Sequence, residues 1–345
     1  MRVNPIAAAL LLTIAASAHA ANHYVANDGV DTAGCGAKDS PCRSITRAID
    51  NASDGDTVIV GPGRYGDLNG DGQLDDPGDE TGAPFLPCLV AVRKAITVTS
   101  SDGAAPTIID ARSVVVAMNV LVITNDAVFG KPAKGFTVTQ TKAPDGGTGI
   151  AIVGSVSNVT VRGNQVTSVS PTTGALRGIA MLPPAFPGDP TPGPILIEGN
   201  QVTGWLEGVV ARGVATTARK NVISTNNTGI AASEDGLVTG NVVSNNAVAM
   251  SIDGARVVGN AIVGNGVGLV VEGASVVEKN NIVSNSGCGL GNFTVGGLPA
   301  TGNYWGAPTG PGPAPADEVC HGAGATETVV PFAAKPYNVD PSIKP

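Results

Sequence analysis

Four residues in the second half of the chain, Arg212, Asp235, Asp253 and Glu272, each stand immediately before a glycine, at intervals of 23, 18 and 19 residues. If the chain stacks on itself with that period, neighbouring carboxylates lie about 5 Å apart and alternate ones about 10 Å apart. Those are close to the separations at which two carboxyl groups cleave a glycosidic bond with retention or inversion. Arg212 would then serve as a base or a substrate clamp. Polar residues before glycine are also what ordinary solvated turns look like.

A second acidic group invites metal chemistry. Asp67, Asn69, Asp71, Gln73, Asp75 and Asp76 follow the alternation of oxygen ligands in the D-x-[DN]-x-[DN]-G pattern, with Gly72 at the sharp turn. Position twelve is Gly78, so Asp79 or Glu80 would have to supply the last ligand after Pro77. Residues 67–80 hold six carboxylates and no Lys or Arg, a concentration of like charge that a hard cation would neutralise. The spacing predicts a structural calcium site in an inserted loop that resembles dockerin-type calcium loops.

These groups need a scaffold, and its period is written in asparagine. Asn164, Asn200, Asn221, Asn241, Asn260, Asn280 and Asn303 recur at intervals of 36, 21, 20, 19, 20 and 23, and Asn226, Asn246, Asn265 and Asn285 run in step with them. A repeat of this length means a solenoid. Residues 200–300 contain 24 Val or Ile against 5 Leu, and β-branched residues bounded by Gly and Asn turns read as short strands. The expected fold is therefore all-β, a single parallel β-helix of ~10 coils with a ~20-residue repeat. The asparagines are expected to occupy left-handed turn positions and to stack as amide ladders. Two insertions interrupt the coils, at 142–147 and in the Pro-rich stretch 181–194.

Open ends of such a rod must be covered. Ile45, Ala48, Ile49 and Ala52 have the spacing of an amphipathic helix that would cap the first coil, and the irregular segment from Tyr304 onward would close the last. The organisation expected is a signal peptide (1–20), an N-terminal cap (21–57), the β-helix (58–303) and a closing segment with tail (304–345). The signal follows from Arg2, the apolar run Ile6–Ala16 and Ala18-His19-Ala20, and predicts export to the periplasm or beyond. Only His23 and His321 remain after its removal. In that compartment the five cysteines can oxidise; Cys35 with Cys42 is the better pair, Cys288 with Cys320 the second, and Cys88 is left over. No apolar run is long enough for a membrane helix, and a net charge of -8 excludes the basic footprint of nucleic-acid binding.

Pro41–Asp67 (PCRSITRAIDNASDGDTVIVGPGRYGD) and Gly302–Gly312 (GNYWGAPTGPG) resemble the opening and closing segments of secreted right-handed parallel β-helix proteins of the pectin-lyase-like group. The resemblance implies a right-handed coil with an N-terminal cap helix and a C-terminal capping segment. It also implies that a pectate lyase would carry W-x-D-H and R-x-P-x-x-R segments and a polygalacturonase paired Asp with G-H-G; none is present. Three functions are compatible with these residues. The first is binding of extracellular or envelope polysaccharide without a recognisable catalytic set. The others are an unclassified polysaccharide lyase or glycoside hydrolase, and a structural or accessory protein with a protein partner at the Pro-rich loop. Trp205 is expected to be an exposed platform and Trp305 to fill the core or cap.

Overall fold

A computed structural model describes residues 20–82, 86–114, 119–140, 147–154, 156–168, 175–182, 193–212, 216–234 and 236–339. The segment expected to be a signal peptide falls almost wholly outside them, as do most of both insertions and Asp235.

Each coil contributes one short strand to each of three long parallel sheets. Among the described residues sheet 1 has ten strands, from Asn22–Val25 to Val276–Glu278, and sheet 2 has nine, from Gly63–Gly66 to Asn281–Val283. Sheet 3 has ten, from Cys88–Val92 to Val319–His321. At about 4.8 Å per strand this is a rod on the order of 50 Å long. Inward columns such as Val161, Ile197, Ala218 and Val238 in sheet 1, or Ile150, Ile179, Val209 and Ile230 in sheet 3, are fully buried. Stacked coils thus share one continuous core.

The asparagines build two amide ladders between coils. In the first, Asn200, Asn221, Asn241 and Asn260 each donate their backbone N–H (2.9–3.0 Å) and side-chain Nδ2–H (2.9–3.1 Å) to the Oδ1 of the next asparagine. This ladder runs from Asn164 to Asn303. The second runs from Asn226 to Asn285 and ends on the Asp317 carboxylate, which accepts from Asn285 Nδ2 at 2.6 Å. The expectation about backbone angles is corrected by one residue. The left-handed conformation falls mainly on the residue before the asparagine, at Gly163, Gly199, Lys220, Gly240, Gly259, Lys279 and Gly302. That residue makes the corner between a sheet 1 strand and the following sheet 2 strand, and the following asparagine turns its amide inward, where burial makes every one of its hydrogen bonds count.

Sheet 3 shows why its strands carry a Gly-apolar pair. A Cβ on Gly178 would lie 2.5 Å from the carbonyl oxygen of Gly208, and one on Gly208 would lie 2.6 Å from that of Gly229. Only glycine lets successive coils approach at this corner.

Helix α1 (Ile45–Asn51) is capped by Ser44, whose hydroxyl accepts from Arg47 N–H at 3.1 Å. It buries Ile45, Thr46, Ala48 and Ile49 against strands Asn22–Val25, Thr57–Val60 and Cys88–Val92. Asn22–Val25, placed in the cap by sequence, pairs with Thr57–Val60 as the first strand of sheet 1. At the other end Trp305 is fully buried, and Gly296–Pro299 pairs with Ala325–Thr328. Both expected disulfides are present, Cys35–Cys42 and Cys288–Cys320. Cys88 is buried outside them. No helix among the described residues is long and apolar enough to cross a membrane.

Candidate functional site

The acidic segment forms a loop held by its own side chains. Asp67 is buried and accepts the N–H groups of Gly70 (2.6 Å) and Gly72 (2.8 Å). Burial opposes its charge, yet these two donors hold its carboxyl below the usual range. Asn69 accepts from Asp71 N–H and Asp71 from Gln73 N–H, while Asp79 accepts from Leu68 and Asp76 N–H. Asp71, Asp75 and Asp76 are exposed and bring carboxylate oxygens within 4.8 Å of one another. Desolvation and the charges of Asp79, Asp71 and Asp75 push the Asp76 carboxyl up. The donor set is all oxygen, the chemistry of a hard cation.

Glu80 stands apart from that set. Both of its oxygens turn to α1, accepting from Ile45 N–H (2.6 Å), Thr46 N–H (2.9 Å) and the Thr46 hydroxyl (2.7 Å). It is fully buried, and burial pushes its carboxyl up to about 7 against the pull of these donors.

The column expected from Arg212, Asp235, Asp253 and Glu272 forms in part. Ser233, rather than Asp235, is the register partner of Asp253, and Asp235 lies outside the described residues. Arg212 falls beside Ser233 by continuation of the Ala211–Ala232 pairing, and Glu272 beside Asp253 by continuation of Ile252–Val271. Asp253 and Glu272 are therefore adjacent, about 5 Å apart along the rod, and Arg212 is two rungs from Asp253. Both carboxylates are exposed. Asp253 folds over the next turn, where a Cβ on Gly273 would lie 1.8 Å from its Oδ1. Arg212 donates to Glu207 at 2.8 Å.

That last contact leads to two residues the sequence reading passed over. Arg177 and Glu207 are register partners in sheet 3, and Glu207 also accepts from Arg177 Nε at 3.1 Å. One carboxylate thus bridges two partly exposed guanidinium groups. The strands before and after hold Thr148, Thr228, Val248 and Val267 on this rung position, so the charged pair breaks the pattern of its own column. That break is the signal in the sequence.

The bridge sits on the outer face of sheet 3, whose central column is Ala180, Val210, Ala231, Ser251, Val270 and Gly291. This floor lies between two rims; its small side chains are buried at Ala180, Val210, Ala231 and Gly291 and partly exposed at Ser251 and Val270. One rim runs Arg177, Glu207, Thr228, Val248, Val267; the other runs Arg212, Ser233, Asp253, Glu272, Phe293. Phe293 ends the second rim, its backbone N–H donating to Val271 O at 2.8 Å, and the residue is 53% exposed. At the opposite end Leu86, Val153 and Leu182 cover Ala91, Val122 and Ala151.

Trp205, expected to be exposed, is fully buried and donates its Nε1–H to Val166 O at 3.1 Å. It heads the second ladder, with its backbone N–H on Asn226. His23 contacts Asp56 at 3.1 Å at the N-terminal end, and His321, in the last strand of sheet 3 beside Asn292, faces Glu327 at 3.7 Å. Glu198 accepts from Arg162 and from Arg219 (2.8 Å), forming a charge ladder across three strands of sheet 1.

No protein-family model and no curated protein matches the chain. Among solved structures it is similar to a rhamnogalacturonan lyase, with a TM-score of 0.51 and 14% identity, over 91% of this chain and 87% of that one. It is also similar to a pectate lyase (0.46, 14%, over 91% and 78%) and to XylC with xylose (0.47, 11%, over 80% and 68%). At 14% identity the likeness to the rhamnogalacturonan lyase speaks for the fold alone, in agreement with the three parallel sheets. The chain folds as a right-handed parallel β-helix.

Proposed function

We propose that the protein is exported and binds an extracellular or envelope polysaccharide along the outer face of sheet 3, without a recognisable catalytic set. The observation that carries this is the small-residue floor flanked by Arg177, Glu207 and Arg212 and ending at the exposed Phe293. An extended polymer can lie on such a face, with polar groups fixing its orientation and an aromatic ring stacking on a sugar. Two disulfides suit an oxidising compartment. Calcium bound by Asp67, Asn69, Asp71, Gln73, Asp75, Asp76 and Asp79 would order the 67–80 loop and take no part in recognition.

A second reading, a polysaccharide lyase or glycoside hydrolase, is favoured by the adjacency of Asp253 and Glu272, which matches the carboxylate spacing of retaining enzymes. Affinity electrophoresis against a panel of uronic and neutral polysaccharides, with ultraviolet absorbance and reducing ends followed in parallel, separates the two. Retardation without product supports binding; unsaturated ends or new reducing ends establish an enzyme. A panel with neither would reject both readings.

A further inference from the structure

The charges on this face are not evenly distributed. Arg177 and Arg212 share one carboxylate and leave the middle of the face with a surplus positive charge. Beyond them, toward Phe293, the rim carries Ser233, Asp253 and Glu272, and the facing rim is Thr228, Val248 and Val267. No Lys or Arg stands on either rim there. The nearest cation in sequence, Arg256, lies past the corner in sheet 1 and faces Glu278 at 3.7 Å. Neither Asp253 nor Glu272 has an ion pair among the described residues, and both are exposed along the rim beside the floor.

Resting on the polysaccharide reading, we propose that Asp253 and Glu272 determine specificity by repulsion. The glycan carries a carboxylate where it meets Arg177 and Arg212, and uncharged or amino sugars where it meets Asp253, Glu272 and Phe293. A homopolyuronate, with a carboxylate on every residue, would place anions within about 5–10 Å of two unpaired carboxylates. Like charges at that distance in a solvated groove cost enough to weaken binding about 10-fold. Building repulsion against the wrong ligand is a general route to specificity, and Phe293 at the end of the rim supplies a stacking surface that needs no charge on the sugar.

The test uses two probes at low salt, polygalacturonate and a polymer in which a uronate alternates with a neutral sugar, titrated into the full mature protein. The alternating polymer should bind about 10-fold more tightly, and the Asp253→Asn/Glu272→Gln variant should collapse that ratio by strengthening polygalacturonate. Added salt should narrow the gap in the wild type. Equal affinities in the wild type, with Arg177→Ala abolishing both and the double variant changing neither, would overturn the inference and leave the polysaccharide reading standing. Binding of neither polymer, with Arg177→Ala also silent, would overturn both. Thermal melts of each variant check that the fold is retained; Asp253→Asn alone replaces the pair if the double variant melts early.

Discussion

Glu80 accepts both the backbone N–H and the hydroxyl of Thr46, at 2.9 and 2.7 Å, from 34 residues further along the chain. The end of the acidic loop is thereby fastened to the start of the cap helix, with Ile45 N–H at 2.6 Å completing the contact.

This contact should make the cap pH-dependent. Glu80 is held up at about 7 from an ordinary value of 4.5. Its contribution is therefore fully present below pH 4.5 and is lost as pH rises through 7. The shift corresponds to on the order of 3 kcal/mol. Thermal melts should rise as pH falls from 8 to 5, and Glu80→Gln should flatten that slope. The same slope in the variant would assign the titration elsewhere.

The amide ladders should dominate stability in the middle of the rod. Asn241 donates to Ala218 O and Asn260 Oδ1, both at 2.9 Å, and accepts from Asn221 N–H and Nδ2–H. Asn241→Ala orphans several buried groups and should cost about 2–5 kcal/mol in chemical denaturation. A loss below about 1 kcal/mol would show that water replaces the amide.

The periodic parts of this architecture were legible in the sequence because stacking forces identical positions to recur. Asn164 to Asn303, the core columns and the cap helix follow from period and pattern alone. The left-handed residue was displaced by one because Asn tolerates that conformation, whereas in these turns its amide is needed inside and Gly or Lys takes the angle. Trp205 was misplaced for a related reason: the Val166 carbonyl that satisfies its indole is 39 residues away in the chain. Asp235 and Asp253 looked equivalent because both precede glycine, but register is set by strand pairing, and it puts Ser233 on that rung. Arg177 and Glu207 come together only when Gly178 and Gly208 align.

The disulfide at the C-terminal end should behave as a clasp. Cys288–Cys320 closes a span of 32 residues, and Asp317, the last acceptor of the second ladder, lies inside it. Loop entropy assigns such a closure about 3–4 kcal/mol. Cys288→Ser/Cys320→Ser should lower the melting temperature and speed hydrogen exchange at Asn285 first. Unchanged exchange there would mean that Asp317 holds the end unaided.

Chelation tests the acidic loop. If calcium is bound, removing it should lower the melting temperature, and Asp71→Asn should mimic the effect without further loss on chelation. An identical melt with and without chelator would reject calcium.

Arg177 and Arg212 on the outer face of sheet 3 are proposed to hold the polysaccharide. Isothermal titration of the polymer that binds best in the panel, into the wild type and into Arg177→Ala/Arg212→Ala, tests this role most directly. Affinity should fall at least about 10-fold, as expected for removing charge-assisted contacts worth about 1.5–3 kcal/mol each, with a melting temperature close to that of the wild type. Undiminished affinity in the folded double variant would contradict that role.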